Sequence, residues 1–223
     1  PEAMVICNVF GRQRVLEESL DYVRDHSPLP EWMHGISSYS MWWVLIHHAW
    51  HLYHGDTDYL REQRDYLVPL LKHLRAHIGE DGREQLTGMR FLDWPSSDDP
   101  GAVHVGLQAL LTMTMRAGAE LCDLLGADDD KVACLLAAEQ LCRYAPPASP
   151  RKAANALLVV AGLADAEETN RDILAANPLS DLSTFYGYYL LQARALAGDY
   201  AGAMDVIRNY WGAMLDFGAT TFW

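Results

Sequence analysis

Hydrophobic positions along the chain recur at spacings of three and four almost throughout. Val15, Leu16, Leu20 and Val23 make one such series, and Leu107, Leu110, Leu111, Met115 and Ala119 another. This spacing lays apolar side chains along one face of a helix with 3.6 residues per turn, whereas a half-buried strand would alternate every second residue. No segment alternates that way, so the pattern predicts an all-α fold. The helices fall near residues 2–11, 12–26, 38–55, 57–78, 103–125, 128–144, 151–163, 165–176, 183–197 and 199–217. Gly55-Asp56, Gly126-Ala127-Asp128 and Gly198-Asp199 punctuate the series. Each places a glycine where a helix C-terminus needs φ > 0, then an acid where the next N-terminus favours negative charge.

Ten helices joined mostly by short turns make about five hairpins. No exact repeat is visible, which argues against a 34-residue tetratricopeptide array. Hairpin spacing wanders between roughly 25 and 65 residues, which suits an α/α toroid with loops of unequal length building a pocket at one end. Two connections are long. Residues 27–37 carry Trp32, and residues 80–102 carry Phe91-Leu92-Asp93-Trp94-Pro95. Loops of this length in a helical domain tend to be functional. Residues 144–151, rich in proline, read as a plain linker.

Composition narrows the partners. The 223 residues carry 17 Lys+Arg against 30 Asp+Glu, a formal charge of −13, with no basic stripe to draw a phosphate backbone; no nucleic-acid partner is expected. No apolar run reaches the roughly 18 residues that span a bilayer, so no membrane partner is expected either. Half the residues are hydrophobic, and 7 Trp, 11 Tyr and 5 Phe exclude a disordered tail. Four cysteines are too sparse for a disulfide scaffold and show no CxxC pairing. All four lie in apolar helical stretches and read as small core residues. Cys134 and Cys142 are too far apart along one helix to bridge, while Cys122 could face either across a helix pair.

Aromatic residues with scattered acids are the first candidate for chemistry. A sugar presents an apolar C–H face to an aromatic plane and hydroxyls to carboxylate, amide or imidazole partners. Trp43, Trp50, Tyr189 and Trp211, in mid-helix, read as core; Trp32 and Trp94, in loops of Pro, Gly and Ser, call for another reason. His47, His48, His51 and His54 could place three imidazoles on one helix face, but no HExxH acid accompanies them and no metal or other cofactor is expected. Among carboxylates, Asp93 stands out as the one beside a loop tryptophan, with Asp98 and Asp99 behind it. Glycoside hydrolysis needs a pair of carboxylates, and one does not make a pair.

Several stretches taken in order resemble the catalytic domain of bacterial α-L-rhamnosidases. They are Ser38-Tyr39-Ser40-Met41-Trp42-Trp43, Gly55-Asp56-Thr57-Asp58-Tyr59-Leu60, Phe91-Leu92-Asp93-Trp94, Phe185-Tyr186-Gly187-Tyr188-Tyr189 and Tyr210-Trp211-Gly212-Ala213-Met214-Leu215-Asp216, ending in Ala219-Thr220-Thr221-Phe222-Trp223. The resemblance implies about five of the six helical hairpins of an (α/α)6 barrel, as a single domain over 1–223 truncated at both ends. It implies a parent enzyme that releases terminal α-L-rhamnose with inversion. It places sugar contacts at Trp32, Asp93 and Trp94, with Tyr39, His104 and Tyr186 as looser matches. The family's general acid would lie before Pro1 and its general base directly after Trp223, so the catalytic carboxylates are unassigned here and the isolated chain is expected to show no turnover. Where the family often has an acid after the first loop tryptophan, this sequence has Met33-His34-Gly35.

On this reading the partners are a rhamnose-containing carbohydrate and the remainder of the parent chain. A periplasmic or secreted compartment and a cytoplasmic one are both open, since Pro1-Glu2-Ala3-Met4 shows neither initiator Met nor signal peptide. Two other readings stay on the table. One is a non-catalytic carbohydrate-binding or scaffold toroid. The other is an α/α-toroid polysaccharide lyase, with Tyr186 or His104 pressed into service as base.

Overall fold

The computed structural model describes residues 2–220 and bears out the all-α expectation. Helices run α1 Glu2–Phe10, α2 Arg14–Asp25, α3 Ser37–His54, α4 Thr57–Arg75, α5 Pro100–Leu124 and α6 Asp128–Cys142. They continue as α7 Lys152–Val160, α8 Ala166–Thr169, α9 Gly187–Leu196, α10 Tyr200–Val206 and α11 Gly212–Asp216. Among the described residues there is no strand, only two isolated backbone bridges, Ile36 with Met89 and Ile78 with Glu84. No described helix is long and apolar enough to cross a membrane. Residues 221–223, the end of the last family-like stretch, lie outside the described residues.

The chain divides into two compact units. The first comprises residues 1–91 and 110–144, the second residues 92–109 and 145–223. One division falls inside the long second loop and another at the start of the proline-rich linker. In the first unit α1 packs on α3, α3 on α4 and α4 on α6. Its core is built from the periodic leucines of α4 (Leu60, Leu67, Leu70, Leu71 and Leu74) and from Leu110, Leu111 and Met115 of α5, all fully buried. An ideal Cβ on Gly118 would stand 2.5 Å from Leu71 Cδ2, so the small residue lets α5 approach α4 closely.

In the second unit α7 packs on α9, and α9 on α10. The α7 sequence Ala-Ala-Asn-Ala-Leu-Leu-Val is buried on every side from Ala153 to Val159, as expected of an apolar helix enclosed by neighbours. Two of the anticipated long helices are interrupted. Asn170–Leu174 and Ile207–Trp211 are π-helical turns that follow α8 and α10. The cysteine expectation needs one correction: Cys7, Cys122 and Cys134 are buried, but Cys142 ends α6 on an exposed turn.

Candidate functional site

The second long loop carries the best-formed site, and it lies in the second unit. Leu92 is buried and anchors the loop on the first turns of α5, where Gly106 makes room for it. A Cβ at Gly106 would fall 2.2 Å from Leu92 Cδ2. Asp93 follows in an extended conformation and caps a single 3-10 turn, Trp94–Ser96, its Oδ1 accepting from the Trp94 N–H at 2.8 Å. Pro95 sits in the first turn of that helix, where a missing N–H costs nothing. The result is a sharp reversal of environment between neighbours. Asp93 is 6% exposed, and the Trp94 side chain next to it is 78% exposed.

A second hydrogen bond holds the carboxylate from across the unit. Ser183 Oγ donates to Asp93 Oδ2 at 2.6 Å and in turn accepts from the Tyr186 N–H at 3.2 Å. The Ser183 carbonyl accepts from the Gly187 N–H at 2.8 Å, so the same residue helps start α9. Tyr186, 3% exposed, is packed in an aromatic cluster with ring centroids 4.9 Å from Phe185 and 5.9 Å from Tyr189. Burial pushes the Asp93 carboxyl above the usual carboxylate range. The Ser183 and Trp94 donors oppose that shift, and the negative Asp181 adds to it. Asp181 accepts from the Lys152 N–H at 2.7 Å and pairs with Arg151 at 3.3 Å, and Arg151 also holds Asp98 at 3.0 Å. Asp99 caps α5 by accepting from the Ala102 N–H at 2.9 Å. Of the three loop acids, Asp93 alone is buried beside an exposed indole.

The other anticipated contacts divide between the units. His104 lies half-buried on α5 in the second unit. Trp32 and Tyr39 belong to the first. Trp32 is 9% exposed and donates through Nε1 to Thr87 Oγ1 at 3.1 Å, with its ring 4.5 Å from His73 and 5.0 Å from His77. Gly88 leaves no space over it, since a Cβ there would meet Trp32 Cδ1 at 2.5 Å. This indole ties the first long loop to the second. Tyr39 is 39% exposed, its ring set edge-on to His34 at 6.0 Å.

The histidine series on α3 behaves as a mixture of core and edge. His47 is fully buried and donates from Nδ1 to the Trp43 carbonyl at 2.8 Å, and His48 reaches Glu120 at 2.8 Å. No group of three potential metal ligands occurs among the described residues.

An exposed aromatic plane beside a buried, proton-retentive carboxyl can stack on the C–H face of a sugar ring and accept from a hydroxyl at its edge. Sequence reasoning found Asp93 and Trp94 but missed Ser183, Arg151 and Asp181. Ser183 falls at the start of the predicted helix 183–197, and nothing local marks it as the partner of an acid 90 residues away.

The all-α fold is a glycoside-hydrolase-like one. Two of the solved structures it resembles are rhamnosidases. The GH78 family rhamnosidase of Bacillus sp. GL1 matches over 100% of this chain with a TM-score of 0.80 at 21% identity. A rhamnosidase from Klebsiella oxytoca with rhamnose bound matches over 83% of it with a TM-score of 0.65 at 19% identity. The chain spans 27% of the length of the first and 40% of the second. No protein-family model and no curated protein sequence matches it.

Proposed function

We propose that this chain is the sugar-holding part of an inverting glycoside hydrolase that releases terminal α-L-rhamnose. The observation that carries the reading is the juxtaposition of exposed Trp94 with buried Asp93, on a fold shared along its whole length with a rhamnosidase. Trp94 stacks on the deoxysugar, whose methyl-bearing face is the more apolar one. Asp93 has lone pairs beyond those used by the Trp94 N–H and Ser183, and it accepts from a ring hydroxyl.

The proton donor to the glycosidic oxygen and the base that activates water come, on this reading, from sequence flanking these 223 residues. Inversion requires those two carboxyls about 6.5–9.5 Å apart, with the water between base and anomeric carbon. The test is to assay the full-length parent on p-nitrophenyl α-L-rhamnopyranoside beside the corresponding glucoside and fucoside, with Asp93→Asn and Trp94→Ala alongside. Release of β-L-rhamnose as the first product, with KM raised in both variants, is the expected result. Absence of rhamnoside hydrolysis in the parent overturns the assignment.

A further inference from the structure

Outside the sugar site, the first unit contains a group of sulfur and charge that neither packing nor hydrolysis uses. Cys122 on α5 and Cys134 on α6 are both fully buried and face each other across the α5–α6 hairpin, their thiols sharing a hydrogen bond. Arg75, near the end of α4, donates from Nη1 to Cys134 Sγ at 3.3 Å. Its Nη2 pairs with Asp130 at 2.8 Å, which fixes the guanidinium against the sulfur. The remaining cysteines are placed differently: Cys7 faces His54 Nε2 at 3.5 Å, and exposed Cys142 accepts from Arg116 at 3.3 Å. The sequence left open whether Cys122 meets Cys134 or Cys142, and the hairpin selects Cys134.

We propose that Cys122 and Cys134 are an oxidisable dithiol that closes to a disulfide when a peroxide reaches the α5–α6 hairpin. A thiol that donates to a neighbouring sulfur while a guanidinium faces that sulfur is the arrangement that divides a pair into nucleophile and resolving partner. The Cys122 hydrogen bond, opposed by burial and joined by Arg75, brings the Cys134 thiol down to about 7, while the same hydrogen bond and burial push Cys122 up. Cys134 lies too deep in α6 for the helix N-terminus to contribute, because that influence fades within the first turn.

The chemistry balances without another reductant or metal. Cys134 thiolate attacks one oxygen of hydrogen peroxide; the S–O bond forms, the O–O bond breaks, and the departing hydroxide takes a proton and leaves as water. The Cys122 sulfur then attacks Cys134 sulfenic acid. The S–S bond forms, the S–O bond breaks, and the second hydroxide departs as water with the Cys122 proton. Two thiols and one peroxide give one disulfide and two waters. Bond formation draws these hydrogen-bonded sulfurs together to about 2.05 Å. Burial restricts access to small oxidants.

The experiment treats the intact folded protein with a few equivalents of hydrogen peroxide, blocks residual thiols by alkylation, and maps peptides by mass spectrometry. The expected product is a peptide pair linked through Cys122 and Cys134, 2 Da lighter than the two thiols and restored by dithiothreitol. In Cys122→Ser the resolving thiol is gone, so dimedone should trap sulfenic acid at Cys134. Oxidation confined to Cys142 or Cys7, with Cys122 and Cys134 recovered unlinked and alkylated, overturns the proposal. Should the serine variant fold poorly, the wild-type linkage map decides alone.

Discussion

The Ser183 hydroxyl donates to Asp93 Oδ2 at 2.6 Å, joining the start of α9 to a loop 90 residues earlier in the sequence. The carboxyl it holds has a definite pH signature. Burial raises the folded Asp93 carboxyl above its ordinary 3.8, so the native state holds a proton that the unfolded chain has released. Between those two values the folded state binds more protons, and stability therefore falls as pH rises through the window. Asp93→Asn removes the titration. Its stability relative to the wild type should climb from acid pH towards neutrality, read by urea unfolding from pH 3 to 7, and a difference independent of pH would sink the account. Ser183→Ala removes one of the donors that lower the carboxyl, so it should extend the window upward and cost about 1.5–3 kcal/mol, the usual worth of a hydrogen bond to a charged group.

Trp32 and Trp94 are the same residue type in loops of similar composition, and they should respond oppositely to truncation. Trp32 is enclosed by His73, His77 and Gly88 and satisfied by Thr87. Trp32→Ala should cost about 3–5 kcal/mol in chemical denaturation. Trp94 is 78% exposed, and Trp94→Ala should change stability by no more than about 0.5 kcal/mol. Loss of its stacking plane should instead weaken rhamnoside binding roughly twofold to thirteenfold, following the ~0.5–1.5 kcal/mol of such contacts. A stable Trp32→Ala or an unaltered KM in Trp94→Ala would reverse these assignments.

Much of the helical frame was legible because it rests on local rules. Gly55 does adopt φ +65 at the end of α3, and Asp56 caps α4 by accepting from the Asp58 N–H at 2.7 Å, as the glycine-acid punctuation implied. Asp199 likewise caps α10 through the Gly202 N–H. The π-helical turns were not legible, because one extra residue in a turn barely shifts a periodicity read over a short window. The α9 start was misplaced by four residues, which hid Ser183 inside a helix. The difference between Trp32 and Trp94 is set by burial: Trp32 is enclosed by residues 40 to 55 positions distant, while Trp94 stays 78% exposed. No local pattern encodes that.

Gly106 should prove as important to the site as Asp93 and Trp94 themselves. It allows Leu92 to bury against α5, and Leu92 immediately precedes the Asp93 cap and the Trp94 plane. Gly106→Ala places a methyl 2.2 Å from Leu92 Cδ2, so the leucine must leave its rotamer or the loop must lift. The helix itself would gain from alanine, and the expected net loss of about 1–3 kcal/mol therefore reports the crowding. The accompanying readout is catalytic: KM for the rhamnoside in the full-length protein should rise with the loop displacement. Gly106→Ala together with Leu92→Ala, which returns the space, should recover part of that KM, and no recovery would place the effect elsewhere on α5.

His47 gives the first unit a separate acid sensitivity. It is fully buried, and burial lowers its pKa from 6.5 to about 4 against the opposing hydrogen bond to the Trp43 carbonyl. Here the unfolded chain binds the proton first. Between pH 6.5 and 4 the unfolded state carries more protons, so stability is intact above 6.5 and is lost as pH falls towards 4. A shift of that size corresponds to about 3 kcal/mol at most, from 1.36 kcal/mol per pKa unit. His47→Gln offers an amide to the Trp43 carbonyl and does not titrate. It should start less stable at pH 7 but lose less between pH 6.5 and 4 than the wild type, as measured by urea midpoints across that range. Parallel loss in the two proteins would show that other groups, such as His73, which burial also lowers, carry the acid transition.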